Sequence, residues 1–236
     1  MEDTAAPRPP PAPAEATKQR ALLVNVLVVA VCALVYELLC GTLASYLLGD
    51  AVLQFSLVLG TYLFAMGVGA WLSRRLEAEA ESRYVQTELA LALVGGLSVP
   101  ILLTSVSMHV PLRPALYGLV FVVGALVGVE LPLLVKILRS ESKGRTFGDV
   151  VARALAYDYV GALAASLLFP LLLVPRLGLV RTAVVAGAVN AVVALSATFV
   201  VRVRRPSLVR GAGLLILAAL AVTFFRGESW VAAATD

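Results

Sequence analysis

The stretch "ALLVNVLVVAVCALVYELLCGTLASYLL", residues 21–48, contains a single charged side chain, that of Glu37. A helix needs about 20 predominantly apolar residues to cross a bilayer, and this stretch exceeds that length. It therefore predicts a membrane-spanning α-helix with a carboxyl group near its centre.

The rest of the chain has the same character. It is 60% hydrophobic and 14% charged, and its mean hydropathy is +0.93. Soluble domains are about 45–50% apolar and about 25% charged. Because backbone groups inside a bilayer must be hydrogen-bonded within the protein, we expect an all-α, polytopic transmembrane helical bundle.

Seven segments are long and apolar enough to cross, and a count of six to eight is compatible with the pattern. The predicted spans are 21–48, 52–72, 87–106, 114–138, 151–174, 179–201 and 209–225. The last of these spans is the shortest. We expect residues 1–20, which include "PRPPPAPAEA", to form a disordered cytoplasmic tail. Residues 21–225 would form the membrane domain, and 226–236 a C-terminal tail or the start of a linker to a soluble domain.

The basic residues indicate the orientation. Fifteen of the 19 Lys and Arg residues fall in the N-terminal segment and in every second loop. Cytoplasmic loops of membrane proteins carry this excess, so the N-terminus is predicted to be cytoplasmic. The same asymmetry accounts for the net charge of +4 without nucleic-acid binding. Seven spans would place the C-terminus on the opposite side.

The sequence contains no pattern for a metal site, a nucleotide site or a disulfide. The two cysteines, Cys32 and Cys40, would lie about 12 Å apart along one helix, beyond the reach of a disulfide. A single histidine, His109, cannot form a metal site alone. No metal and no cofactor are therefore expected in this chain.

Three acids, Glu37, Glu130 and Asp158, lie well inside predicted spans. A carboxylate at the centre of a span costs about 2.5–3.5 kcal/mol on insertion scales, so such residues face the bundle or a wet cavity. Glu88 falls near the cytoplasmic end of the third span and is expected to reach water. The three inner acids predict a site for a cation, a proton or an amine. The structural alternative is that these acids, protonated or hydrogen-bonded, only fix the packing of the helices.

The partners expected for these acids are hydroxyl and amide groups, because no Lys or Arg lies at the same depth. The candidates are Tyr36, Tyr157, Tyr159, Asn25 and Asn190. Pro132 follows Glu130 by two residues, and a kink there would expose a carbonyl oxygen beside the carboxyl group.

Two pairs of segments echo each other. "LVYELLCGTLASYLLG" (34–49) is similar to "LAYDYVGALAASLLFP" (155–170), and "GTYLFAMGVGA" (60–70) to "GLVFVVGALVGVE" (118–130). The first pair joins spans that cross in the same direction. This indicates a parallel internal repeat, as some transporter folds contain, or a chance likeness between Leu/Ala/Gly-rich helices.

Three stretches carry a family resemblance: "LVYELLCGTLASYLLGDAVLQFSLVLGTYLFAMGVGAWLSRRL" (34–76), "GVELPLL" (128–134) and "DYVGALAASLLFPLLLVPRLGLVRTA" (158–183). They resemble the N-terminal multi-span membrane domain of membrane-bound spermidine synthases, polyamine aminopropyltransferases. All three inner acids lie within these stretches. The resemblance implies an integral protein of a bacterial-type cell membrane that anchors an aminopropyltransferase domain and binds or passes polyamines.

The resemblance does not extend to catalysis, since the chain contains no sequence corresponding to the family's catalytic domain. Whether the chain is part of an enzyme therefore stays open. A cytosolic catalytic domain would also need an even number of spans, in conflict with seven. The alternatives are a stand-alone secondary transporter or permease for a cationic amine or a proton-coupled substrate, and a passive anchor or assembly module. An oligomer is compatible with each. The lipid bilayer is the expected partner in all three.

Overall fold

The computed structural model describes residues 13–142 and 144–226, and these residues form α-helices joined by short turns. A short 3₁₀ helix, Arg74–Glu79, precedes α3, and a π-helical turn, Phe169–Leu173, follows α6. The α-helices are α1 (Pro13–Leu48), α2 (Ala51–Ser73), α3 (Ala80–Gly96), α4 (Ser98–Ser107), α5 (Leu112–Glu141), α6 (Phe147–Leu168), α7 (Val174–Val200) and α8 (Pro206–Phe225).

Six helical stretches of the described chain are long and apolar enough to cross a bilayer. One of them, Phe147–Val200, has 54 residues, about 80 Å of helix, whereas a bilayer core is about 30 Å thick. The helix breaks at Gly178, whose φ of 73° and ψ of 176° are not helical. Glycine adopts this positive φ without a steric penalty. Two separately predicted spans, 151–174 and 179–201, thus meet at this break.

Contacts along the helices show that the chain reverses at Gly178. Helices α1 and α6 run parallel, because Gly161 packs against Leu27 and Ala30 while Gln19 and Val150 line one depression at the end where both begin. Helix α1 is also parallel to α3, since Asn25 interacts with Tyr84 and, further along both helices, Tyr36 packs on Gly95.

Helix α7 is antiparallel to α3. Gly187 approaches Gly96, and the backbone N–H of Arg202 donates to Glu81 near the start of α3 at 2.8 Å. Helices α6 and α7 therefore point in opposite directions. Helix α8 returns along α7, because Arg210 bonds to Thr198 and Gly213 packs on Leu195.

Helices α2 and α5 form the most extensive pair in the bundle, and they are parallel. The hydroxyl of Tyr117 donates to Gln54 at 2.9 Å. Further along, Gly124 packs on Tyr62 and Gly128 on Met66. The small-residue spacing on α5 lets the two backbones approach closely, as the pattern Gly-x-x-x-Gly does between membrane helices.

One end of the bundle collects segments rich in Lys and Arg. There Lys18 of α1 forms a 2.7 Å ion pair with Glu141 at the end of α5. Arg204, after α7, pairs with Glu79 at 3.2 Å. The turns at Gly49, Met108 and Gly178 and the end of α8 lie at the opposite end. The distribution of charge on the helices therefore agrees with the asymmetry read from the sequence.

The helix bounds differ from the predicted ones in specific places. Helix α1 already begins at Pro13, before the predicted start at residue 21, while residues 1–12 and 227–236 of the predicted tails lie outside the described residues. The third span begins with α3 at Ala80 rather than at residue 87. Helix α5 continues through Pro132 to Glu141.

Each sequence echo joins two helices that pack against each other in parallel: α1 with α6, and α2 with α5. Along the chain, however, α5, which is similar to α2, precedes α6, which is similar to α1. A single tandem duplication would keep the order of its segments. The internal repeat stays a prediction.

Candidate functional site

Glu130 and Asp158 line the same small cavity inside the bundle. The cavity has a volume of about 50 Å³ and is enclosed by α1, α2, α5 and α6, with Ala33 and Met66 among its walls. Glu130 is 1% exposed, whereas Asp158 is half-buried. Two of the three acids predicted to form a site are thus brought together from α5 and α6.

Glu37 reaches the same region through Tyr62. The hydroxyl of Tyr62 donates to the carbonyl oxygen of Ala33 at 2.8 Å, which fixes the phenol between α1 and α2. Glu37, Glu130 and Asp158 all act electrostatically on this hydroxyl. Like Asp158, Glu37 is half-buried. The three carboxyl groups therefore lie around one tyrosine that the sequence did not single out.

The expectation that Glu88 reaches water is wrong. Its exposed fraction is 0%, because α3 begins seven residues earlier than predicted and carries Glu88 into the bundle. Its carboxyl group interacts with that of Glu130 from the neighbouring helix α5. Within the described residues, none of the four carboxyl oxygens has a hydrogen-bond partner of good geometry. Glu88 and Glu130 form a buried pair of like groups.

Phenol and thiol groups surround this pair. Tyr36, predicted to belong to the site, is fully buried on α1, and its hydroxyl has no partner of good geometry among the described residues. It acts electrostatically on both carboxyl groups, as does Cys32 one turn away. On α3, Tyr84 is close enough to interact with both Glu88 and Asn25.

Tyr157 and Tyr159 are not part of this arrangement. They flank Asp158 on α6, but their side chains point away from the bundle and are 38% and 67% exposed. Asn190, another predicted partner, is buried on α7, and no residue in the described part of the chain donates to its Oδ1 atom. The acids interact with Tyr36, Tyr62 and Tyr84 instead.

The arrangement limits the chemistry of the site. No group of three or more metal-ligating side chains occurs among the described residues. The cavity of about 50 Å³ is well below the roughly 300–1,000 Å³ of small-molecule pockets. It suits water or a proton. Glu37 and Asp158 are only half-buried, whereas Glu130 is 1% exposed.

The helical spacing of residues around Glu88 indicates that this residue is buried, but the charged run that precedes it favours the opposite interpretation. Tyr84, Glu88 and Leu91 lie at helical spacing and are all buried. The preceding run of charges, "SRRLEAEAESR" (73–83), favours a solvated connector. The close contacts that bury this part of α3 come from α5 and α7, which are distant in sequence.

Comparisons with curated proteins find relatives along most of the chain. It is 46% identical over 208 residues to a polyamine aminopropyltransferase of Leptospira interrogans, covering 87% of this chain and 41% of the relative. For polyamine aminopropyltransferase 1 of Ralstonia nicotianae the identity is 50% over 198 residues, which cover 80% of this chain and 37% of the relative. For polyamine aminopropyltransferase 1 of Streptomyces coelicolor it is 40% over 233 residues, covering 95% and 44%.

The chain thus spans less than half the length of these relatives. No protein-family profile matches it. No solved structure matches it either. The chain is homologous, over most of its own length, to a part of proteins named polyamine aminopropyltransferases.

Proposed function

We propose that this chain is the membrane-embedded part of a polyamine aminopropyltransferase and holds the enzyme's catalytic part at the membrane. The observation that carries the proposal is the similarity to three such proteins over 80–95% of the chain, in a region made of long apolar helices. Residues 21–225 would be the membrane domain, and 226–236 would begin the link to the catalytic part. A bacterial-type cell membrane is the proposed location, with the N-terminus in the cytoplasm.

The acids support a second part of the proposal, an intramembrane site for a cationic amine. Glu37 and Asp158 are the accessible members of the acid cluster, and both lie within electrostatic reach of Tyr62. Polyamines carry several ammonium groups, so two carboxylates beside an apolar surface would attract them. Glu130 lies behind Asp158 in the same cavity. A site of this kind would recruit polyamines to the enzyme or pass them across the bilayer.

The anchoring proposal is tested on the native protein. Membranes of the source cells are washed at alkaline pH, the chain is isolated with antibodies against it, and aminopropyl transfer to a polyamine acceptor is assayed. We expect the chain to stay in the membrane fraction and the transfer activity to be isolated with it. A chain that the alkaline wash extracts, or an isolate with no transfer activity, would contradict the proposal.

The amine site is tested by binding of labelled spermidine to the chain in lipid nanodiscs. We expect Glu37→Gln and Asp158→Asn each to weaken binding, and the double variant to abolish it. Glu79→Gln is the matched control, since Glu79 pairs with Arg204 on the surface, where an ion pair contributes little. Unchanged binding in the double variant would remove the site from the proposal.

The cluster of acids also favours one rival, a transporter for a cationic amine. Proteoliposomes that contain only this chain distinguish the two. Accumulation of spermidine that depends on Glu37 and Asp158 supports transport, whereas binding without accumulation supports recruitment. A passive anchor would give neither result.

A further inference from the structure

Glu88 and Glu130 form a buried pair behind the proposed amine site, and neither that site nor the anchoring role accounts for the pairing. They come from α3 and α5 and are 0% and 1% exposed. Their carboxyl groups interact with each other. All four oxygens are buried and lack a hydrogen-bond partner of good geometry in the described part of the chain.

The groups that face the pair cannot neutralise two negative charges. From α1 they are Cys32 and Tyr36, and from α3 Tyr84. From α6, Asp158 acts on Glu130, and Tyr62 of α2 is within reach of the same carboxyl group. Every one of these groups is neutral or acidic. Among the described residues, no Lys or Arg acts on either carboxyl group.

Two carboxylates that face each other away from water cannot both ionise, because each desolvated charge also repels the other. Paired carboxyl groups in enzymes respond by sharing a proton. The hydroxyl of Tyr84, which is close enough to interact with Glu88, supplies a donor for the one remaining negative charge. The arrangement suits a proton.

The cavity beside Glu130 gives this proton a way in and out. It joins Glu130 to Asp158 and has a volume of about 50 Å³, and a cavity needs only about 10–15 Å³ on such a measure to hold a water molecule. Asp158 is half-buried, so the cavity extends from the buried Glu130 to a residue at the surface of the bundle. A polar cavity with a carboxyl group at each end is the kind of site that retains water.

We propose that Glu88 and Glu130 together bind one proton inside the bundle, and that this proton exchanges with the outside through the cavity and Asp158. In the exchange, the O–H bond of the Asp158 carboxyl group breaks, water in the cavity passes the proton on, and an O–H bond forms on the carboxylate of Glu130. Asp158 is left ionised, and the pair then carries two protons and no charge. Either of the two protons returns through the same water to the Asp158 carboxylate, which restores one proton and one negative charge on the pair. The inference does not rest on polyamine binding or on the proposed enzyme.

Infrared spectroscopy of the chain in lipid nanodiscs tests the proposal, because a protonated carboxyl group has a C=O stretch that a carboxylate lacks. We expect such a band at neutral pH in the unmodified chain. It should shift when glutamate is labelled with ¹³C at the carboxyl carbon, which assigns it to Glu without any substitution. Absence of the band, or a band that the label does not shift, overturns the proposal.

Variants then locate the proton. We expect Glu88→Gln and Glu130→Gln each to shift the band, the double variant to lose it, and Glu79→Gln to leave it unchanged. Should the double variant not fold, the two single variants decide, and a band that neither of them alters overturns the pair. Transfer into D₂O reports on the path: exchange of the band should be slower in Asp158→Asn. Unchanged exchange in that variant overturns the path through Asp158.

Discussion

The phenol ring of Tyr36 on α1 lies directly on the backbone of Gly95 on α3. A Cβ atom added at Gly95 would sit 2.6 Å from the Cζ atom of the ring, the carbon that carries the hydroxyl. The absence of a side chain at Gly95 therefore lets a buried tyrosine place its hydroxyl near Glu88 and Glu130. The contact joins α1 to α3, two helices that are distant in sequence.

Substitution of Gly95 by alanine should destabilise the bundle, because the ring of Tyr36 has to move. Overpacking of this kind costs about 1–3 kcal/mol. The thermal unfolding midpoint in detergent should fall, while Gly67→Ala, at a helical position with open space around it, should leave the midpoint unchanged or raise it. Equal midpoints for the two variants would show that Tyr36 does not depend on Gly95.

The hydroxyls of Tyr36 and Tyr62 should respond in opposite ways to removal. Tyr62 donates to Ala33 at 2.8 Å, so Tyr62→Phe should lose about 0.5–1.5 kcal/mol of stability. The hydroxyl of Tyr36 is buried without a partner of good geometry in the described chain, and burial of an unsatisfied polar group costs about 1–3 kcal/mol. Tyr36→Phe should therefore be neutral or stabilising.

Unfolding of the two phenylalanine variants side by side checks this difference in sign. A clear loss of stability in Tyr36→Phe would show that its hydroxyl does form a hydrogen bond. The comparison controls for ring packing, since both variants keep the aromatic ring in a fully buried position.

The sequence predicts the helical class well because apolar runs long enough to cross a bilayer are a local property. It also singles out Glu130 and Asp158, because a carboxyl group differs sharply from the apolar residues beside it in the chain. It fails at Glu88, because a charged flank hides the true start of α3 at Ala80. The sequence does not reveal that the side chains of Tyr157 and Tyr159 face outward, because only the packing of α6 on α1 decides which face of α6 is exposed. The pairing of acids from different helices depends on tertiary contacts that no local pattern contains.

Gly128 should tolerate substitution far less well than Gly118 on the same helix. A Cβ atom at Gly128 would overlap the backbone of Met66 on α2, whereas nothing lies within 4 Å of the corresponding position at Gly118. Gly128→Ala should lower stability by about 1–3 kcal/mol. Gly118→Ala should raise it by up to about 1 kcal/mol, since alanine favours helix. Unfolding midpoints in detergent measure both, and similar values would contradict close packing of α2 on α5.

Arg210 should hold α8 to α7. Its Nε atom donates to the hydroxyl of Thr198 at 3.0 Å, and its guanidinium group lies 4.1 Å from the centre of the Phe199 ring. A cation over an aromatic ring contributes about 0.5–2 kcal/mol. Because few residues of α8 are buried, Arg210→Ala should expose the turn at residues 201–205 to protease.

Arg202→Ala is the control for this experiment. In the described chain the hydrogen bond of Arg202 to Glu81 comes from its backbone N–H group, which the substitution keeps. Limited proteolysis in lipid nanodiscs should therefore cleave Arg210→Ala faster than the unmodified chain, and Arg202→Ala at its rate. Equal cleavage of all three would mean that α8 is held by its apolar contacts alone.

The two turns that flank α8 should lie on opposite sides of the membrane. Helix α8 runs antiparallel to α7, so Arg202 lies at the basic end of the bundle and Arg226 at the end that also contains Met108. Cysteine substitutions at these three positions can be labelled in intact cells with an impermeant maleimide. Met108→Cys and Arg226→Cys should react directly, and Arg202→Cys only after permeabilisation, because the positive-inside rule places the basic end in the cytoplasm.

The unmodified chain supplies the background for this labelling, because its Cys32 and Cys40 are both 2% exposed and should not react. If Arg226→Cys behaved like Arg202→Cys, α8 would not cross and the count of crossings would be even. That result would allow a cytoplasmic catalytic part after residue 226. If Arg226→Cys instead reacts directly and Arg202→Cys only after permeabilisation, a catalytic part after residue 226 would have to begin on the outer side or to follow another crossing.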